Sequence, residues 1–160
     1  MNDSIDGIRL KKSFLGEELL DDEIEALKGI ITTLTIDKGE FLIREEDADR
    51  RLFLLVEGNL EVLNNKKGEL VHTYSMDPGE FAGTRAFIDG TPRSASLRAK
   101  SEATVYCIDP ANFERLIDTH PRLVYKIMRA IFRITHFNLM RMNREAQELA
   151  NYVFKIGGRY

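Results

Sequence analysis

Arg93 follows Pro92 at the head of an alternating run, and Gly79, Gly83 and Gly90 bracket a short apolar segment just before it. A guanidinium fixed on a strand presents a planar fork of N–H donors that grips two oxygens at once. Glycines let a ligand come close to the main chain, and the free N–H groups at a helix start suit a phosphate. The spacing therefore fits an anion pocket. It also fits an ordinary tight loop with Arg93 facing solvent, because glycine-rich loops are common turn chemistry.

What must hold such a pocket is a β framework. Residues 1–12 read as a loosely held lead-in. Asp22 with Glu25 has capping-box spacing, and Ile24, Leu27 and Ile31 follow at helical intervals, so a short helix is expected from Asp22, limited by Gly29. The period then drops to two: Thr33 to Ile36 alternates, Asp37-Lys38-Gly39 turns, and Glu40 to Arg44 alternates again. Arg51 to Val56, Leu60 to Leu63, Leu70 to Met76, Ser94 to Ala99 and Ala103 to Ile108 read as further short strands. About eight short strands cut by glycine turns predict a mainly β fold with flanking helices, a β-roll or jelly roll.

Pro110 opens a short helix to about Asp118, and Pro121 opens a long one. Apolar residues recur there at Ile127, Ile131, Ile134, Met142, Ala146, Leu149, Val153 and Ile156, with Asn138 interrupting, in spacings of three and four close to a coiled-coil seam. A second stripe of Met128, Phe132 and Leu139 lies on a neighbouring face. One face is expected to cover the roll and the other to bury against the same helix of a second chain, giving a homodimer; the alternative is that both pack on the chain's own roll. Gly157-Gly158 ends the helix. The expected organisation is residues 1–120 as the roll with its N-terminal helix, and 121–160 as a long C-terminal helix for dimerisation or closure.

At 160 residues, with 43% apolar and 31% charged side chains, the chain has the composition of one soluble globular domain plus an appended element. No apolar run approaches the roughly 18 residues of a membrane span and no signal core opens the chain, so a cytoplasmic protein without a membrane partner is expected. The formal charge of −3 gives no global case for nucleic-acid binding. A single cysteine, Cys107, excludes an internal disulfide and multi-cysteine metal sites, and its alternating run reads it as a small buried strand residue. His72, His120 and His136 share no metal-ligand spacing. No nucleophile–base–acid set, Walker loop or pair of catalytic carboxylates emerges, so neither a cofactor nor an enzyme is expected. Arg122, Lys126, Arg129 and Arg133 read as a solvated helix face rather than a surface for phosphates.

The stretch Gly79 to Ser96 resembles the phosphate-binding cassette of the cyclic nucleotide-binding domains, the family of the bacterial catabolite activator protein and of the regulatory subunits of cyclic-nucleotide-dependent kinases. The family cassette reads roughly F-G-E-L-A-L, a short variable stretch, then P-R-A-A-T. Gly83 matches the cassette glycine, Pro92-Arg93-Ser94-Ala95 matches the second segment, and Arg93 stands where the family's phosphate-binding arginine stands. Gly39, Gly58 and Gly79 match structural glycines. Three residues depart. The glutamate that accepts hydrogen bonds from the ribose falls on Thr84, with Arg85 where a leucine is usual, and the family's E-G-D turn reads Glu45-Glu46-Asp47, which implies a loop of different shape.

The resemblance covers roughly Leu15 to Gly157. It implies a ligand-sensing regulatory module in which Gly83, Thr84, Arg85, Ala86, Arg93 and Ser94 hold a cyclic nucleotide, cAMP or cGMP, or a related anion. Asn138, counted from Arg93 without a gap, falls where the catabolite activator's long helix offers a polar side chain to the purine, with Thr135 a second candidate; Asn138 also reads as register control in an apolar seam. In the family's transcription factors this helix dimerises and precedes a helix-turn-helix. No such segment is present in this sequence, so no direct DNA binding is expected. The chain reads as a sensor module or as the sensor half of a transcription regulator. The alternative is a degenerate, ligand-free relative acting as a dimerisation or protein-interaction module, which Thr84 favours.

Overall fold

The computed structural model describes residues 4–158. Two helices, α1 (Gly7–Lys12) and α2 (Asp21–Lys28), precede eight strands: β1 (Ile31–Ile36), β2 (Phe41–Ile43), β3 (Leu52–Glu57), β4 (Leu60–Lys66), β5 (Glu69–Met76), β6 (Phe81–Ala82), β7 (Ser96–Ala99) and β8 (Ala103–Ile108). Helix α3 (Thr84–Asp89) separates β6 from β7, and α4 (Pro110–Thr119) and α5 (Pro121–Gly157) follow the last strand. The strands form two four-stranded antiparallel sheets, ordered β1-β8-β3-β6 and β2-β7-β4-β5. This is the expected β-roll.

Alternation within β3 and β8 builds two cores from one sheet. Successive strand side chains point to opposite faces. Phe53 and Leu55 of β3, with Val105 and Cys107 of β8, enter the space between the sheets alongside Leu60, Met76 and Leu97. Leu52, Leu54, Tyr106 and Ile108 face the other way, onto the helices. Both faces of these strands are thus covered, which is why β3 reads as a continuous apolar run rather than an alternating one. Cys107 is buried as expected, and burial pushes its thiol up to about 11.

From Asp6 onward the N-terminal segment is firmly held, contrary to its reading as a lead-in; residues 1–3 of that reading lie outside the described residues. Asp6 caps α1 by accepting from the Ile8 and Arg9 amides, its own N–H donates to the Tyr106 hydroxyl at 2.9 Å, and Leu10 is fully buried. The cap of α2 also differs from the spacing argument. Glu23, three residues after Leu20, accepts from the Leu20 N–H at 3.0 Å, while Glu25 pairs with Lys28. Apolar anchors every few residues (Leu15, Leu19, Ile24, Leu27) tie the segment to the helix-side core, a signal the charged composition of its start conceals.

Helix α5 is a single run of 37 residues with two different halves. Leu123, Ile127 and Ile131 are buried against the helix-side core. From Phe132 onward the large apolar side chains are exposed, apart from half-buried Ile134, among them Leu149, Val153 and Phe154. The division runs along the helix, not only around it. The basic stripe is not a free solvated face either: Lys126 reaches Glu23 at 2.5 Å, and Arg129 and Arg133 both meet Glu18 of the N-terminal segment. No acid lies between Arg122 and Glu145 in sequence, so its partners had to come from elsewhere in the chain.

Candidate functional site

Arg93 is 3% exposed, which overturns the solvent-facing loop reading. Its Nη1 donates to the Gly83 carbonyl at 3.2 Å, and its Nη2 donates to the Arg51 carbonyl at 2.5 Å and faces Asp49 Oδ1 at 3.4 Å. The guanidinium carbon stands 5.1 Å from the ring centroid of Phe53. Nε is buried without a partner. Burial holds the guanidinium below its ordinary value, opposed by the charge and hydrogen bond of Asp49. Burial raises the Asp49 carboxyl, but hydrogen bonds from Arg51 and the charges of Arg51 and Arg93 outweigh it and hold the carboxyl below the usual range.

The loop before β3 is what receives Arg93. Glu46 donates its N–H to the Arg93 carbonyl at 2.8 Å, and the Arg93 N–H donates to Asp47 at 3.0 Å. Glu46 takes the left-handed conformation, φ 72°, that glycine adopts without cost. Here a glutamate takes that conformation, with one main-chain hydrogen bond of its own to Arg93 and a second made by its neighbour Asp47.

Gly83 caps α3 with φ 90° and Gly90 ends it with φ 70°. Thr84 is the first residue of α3 and half-buried, Arg85 is exposed, and Ala86 is buried. The Ala86 carbonyl accepts from Arg50 Nε at 3.3 Å, placing a cation at the helix C-terminus where the dipole favours it. Ser94 is exposed, and its carbonyl, not its hydroxyl, is engaged, accepting from Asn64 Nδ2 at 3.0 Å.

Beside this arm, a cleft of about 980 Å³ opens between the β4–β5 hairpin, β6 and α5. Asn138 lines it, together with Asn64, Thr73, Glu80 and Ala82, the residue before the cassette glycine. Thr84, Arg85, Arg93 and Thr135 are not among its walls. Ile134 lines it too, so this seam position faces the chain's own roll. Phe14 and Phe81 give the cleft aromatic surface of the kind a flat base packs against. The Tyr74 hydroxyl donates to Glu80, which also accepts from the Asp77 N–H at 2.6 Å. The structure thus gathers Gly83, Ala86 and Arg93 into one arm and puts Asn138 in the adjoining cleft.

The sequence profile of the cyclic nucleotide-binding domain matches residues 33–120, from β1 to the end of α4. The chain belongs to this family. A cAMP-dependent protein kinase regulatory subunit of Emericella nidulans is 33% identical over 87 residues, covering 54% of this chain and 21% of that protein. The matched stretch spans between 20% and 28% of the length of the first three curated relatives. Among solved structures, a cyclic nucleotide-binding domain of Methylobacillus flagellatus superposes with a TM-score of 0.77 at 18% identity, covering 84% of this chain and 79% of its own. The catabolite activator protein of Thermus thermophilus superposes at 0.75 with 20% identity, covering 86% and 63%. These two show the shared β-roll.

For a cyclic nucleotide-binding domain, residues that spacing did not single out stand closest to Arg93. Asp49 and Arg51 were unremarked, yet a buried guanidinium needs an anion, and the acidic run Glu45 to Asp49 before β3 was the place to seek one. Thr73 falls inside the expected strand Leu70 to Met76 and Asn64 just past the expected strand Leu60 to Leu63, where spacing gives neither a role. Among the described residues no cluster of three or more histidine, cysteine or acidic side chains is placed to hold a metal ion, and no helix is long and apolar enough to cross a membrane.

Proposed function

We propose that this chain is a regulatory sensor that binds a cyclic nucleotide, cAMP or a close relative, and does not catalyse a reaction. The carrying observation is Arg93: a buried arginine with an unpartnered Nε, seated on Phe53 beneath the cassette glycine and next to a cleft large enough for a nucleoside. Arg93 and the Gly83 to Ala86 backbone hold the phosphate, Thr84 offers a hydroxyl to the sugar, and Asn138 meets the base. Arg85 and Ser94 flank the phosphate. Residues 1–120 form the ligand-holding unit and 121–160 the helix that relays its state to a second copy of the chain. The exposed apolar side chains beyond Phe132 support that pairing, because an unpartnered helix face of this length needs cover.

Signalling requires that the ligand bind one position of α5 better than another. Calorimetric titration with cAMP, then cGMP, tests the reading, with Arg93→Ala as control. Micromolar binding weakened at least tenfold by the substitution is expected, since a charge-assisted contact contributes roughly 1.5–3 kcal/mol. Binding unaffected by the substitution removes Arg93 from the site.

A second reading has its own observation. Both terminal nitrogens of Arg93 already donate to main-chain carbonyls, and Thr84 lacks the charge of the family glutamate. A ligand-free interaction module is what remains when neither nucleotide binds.

A further inference from the structure

Asn64 joins the loop that carries Arg93 to the wall of the cleft. Its Nδ2 donates to the Ser94 carbonyl, one residue past Arg93, at 3.0 Å, and its Oδ1 accepts from the Thr73 hydroxyl at 3.1 Å. The same Thr73 hydroxyl lies 3.1 Å from the Val62 carbonyl. Both side chains line the cleft.

The backbone explains how Thr73 comes to be there. Along the β4–β5 ladder Val62 pairs with Tyr74, but Leu63 pairs with His72, so Thr73 is the extra residue of a bulge. A bulge bends its strand and re-aims a side chain. Here it sets the hydroxyl against Asn64, which fixes the amide's oxygen toward the hairpin and its nitrogen toward Ser94. β5 is an edge strand with mostly exposed residues, so the hairpin gains little from core packing at this point. The main-chain pairing of β4 with β7 ends at Leu63 and Ser96, and beyond it the bond from Asn64 to the Ser94 carbonyl fastens the hairpin to the loop.

We propose that Asn64, oriented by Thr73, is a positioning residue for the anion arm: it couples the cleft wall to the loop that presents Arg93, so that filling the cleft and gripping the phosphate assist one another. The ligand side of this inference rests on the cyclic nucleotide reading above. The loop-holding side does not.

Two measurements separate them. The first is amide hydrogen exchange of the ligand-free protein at residues 91–96, comparing wild type with Asn64→Leu, and with Thr73→Val and Thr73→Ser as a second pair. Exchange at least tenfold faster in Asn64→Leu and faster in Thr73→Val, with Thr73→Ser restored toward wild type, is expected. Unchanged exchange in both Asn64→Leu and Thr73→Val overturns the inference whether or not any nucleotide binds.

The second is calorimetric titration with cAMP across the cycle of Asn64→Leu, Arg93→Ala and the double variant. A residue acting through the Arg93 loop weakens binding at least fivefold on its own and less than twofold more once Arg93 is gone, because coupled sites are not additive. Losses that multiply, or an Asn64→Leu affinity equal to wild type, overturn the coupling. Should wild type bind neither cAMP nor cGMP, the cyclic nucleotide reading and the coupling to it both fall, and the exchange result alone decides whether Asn64 holds the loop.

Discussion

The carbonyl of Gly83 lies 3.2 Å from Nη1 of Arg93, and a Cβ added at Gly83 would overlap that nitrogen. The cassette glycine is required twice over, by its φ of 90° and by the guanidinium packed against it. Gly83→Ala is expected to lower stability by about 1–3 kcal/mol, from the left-handed conformation together with displacement of Arg93. Thermal unfolding and a parallel cAMP titration check it. A variant as stable as wild type with full affinity would show that Arg93 does not need this seat.

Glu46 offers the opposite experiment. Its φ of 72° is strained for a side-chain-bearing residue, and its own N–H is tied to the Arg93 carbonyl within a turn that Arg44, Glu45 and Asp47 also brace. Glu46→Gly should raise stability by roughly 0.5–1 kcal/mol despite glycine's greater freedom when unfolded. Chemical denaturation gives the sign directly, and a loss would mean that the Glu46 side chain contributes more than its backbone costs.

Acid should loosen the arm that carries Arg93. The folded carboxyl of Asp49 sits below its ordinary value, so it contributes stability above the unfolded value of about 4 that is lost as pH falls through the lower folded one. Glu18, lowered mainly by the Arg129 hydrogen bond, and Glu23, where the Lys126 and Leu20 bonds outweigh burial, follow the same sign. Melting curves between pH 6 and 3 should show stability falling on the acid side, with a shallower fall in Asp49→Asn. Parallel curves for the two proteins would exclude Asp49 as a contributor.

The clasp between α5 and the N-terminal segment separates into a buried part and an exposed part. Glu23 is 5% exposed, so Lys126→Met leaves a buried carboxylate unpaired and should cost about 3 kcal/mol. Adding Glu23→Gln should recover part of that loss. Arg129→Ala or Arg133→Ala, whose side chains are 43% and 50% exposed, should each cost under about 1 kcal/mol. Equal effects at all three would show that burial is not what distinguishes them.

If α5 pairs with its counterpart in a second chain, the test belongs beyond Phe132. Leu149→Glu with Val153→Glu is expected to give monomers on sedimentation without lowering the unfolding midpoint. Ile134→Glu is a poorer choice, because Ile134 lines the cleft and its substitution would disturb the cleft and the helix together.

The strands were legible because β1, β4 and β8 alternate and their turns carry glycine, and the long helix because nothing between Arg122 and Ile156 breaks it. β6 escaped notice: two residues, Phe81 and Ala82, carry no period, and only pairing with β3 makes them a strand. The N-terminal clasp was hidden for a related reason, since Glu18 and Arg133 lie 115 residues apart and charge pairing at that range leaves no local pattern. Arg93 could be named from its Pro-Arg-Ser-Ala setting. Its partners could not, because Asp49 and the Arg51 carbonyl meet it only after β3 and β7 have taken their places in opposite sheets.

Helix α5 is buried through Leu123, Ile127 and Ile131, lines the cleft from Ile134 to Glu145, and runs on to Gly157. At 1.5 Å per residue the part beyond Ile131 is a lever arm roughly 39 Å long. A tilt of about 10° at the anchored turns, a displacement of only an ångström or two beside the roll, swings the far end through roughly 7 Å by the same rise per residue. The fold thereby has mechanical gain: a shift too small to alter the roll's own packing is enough to change what surface Phe154 meets.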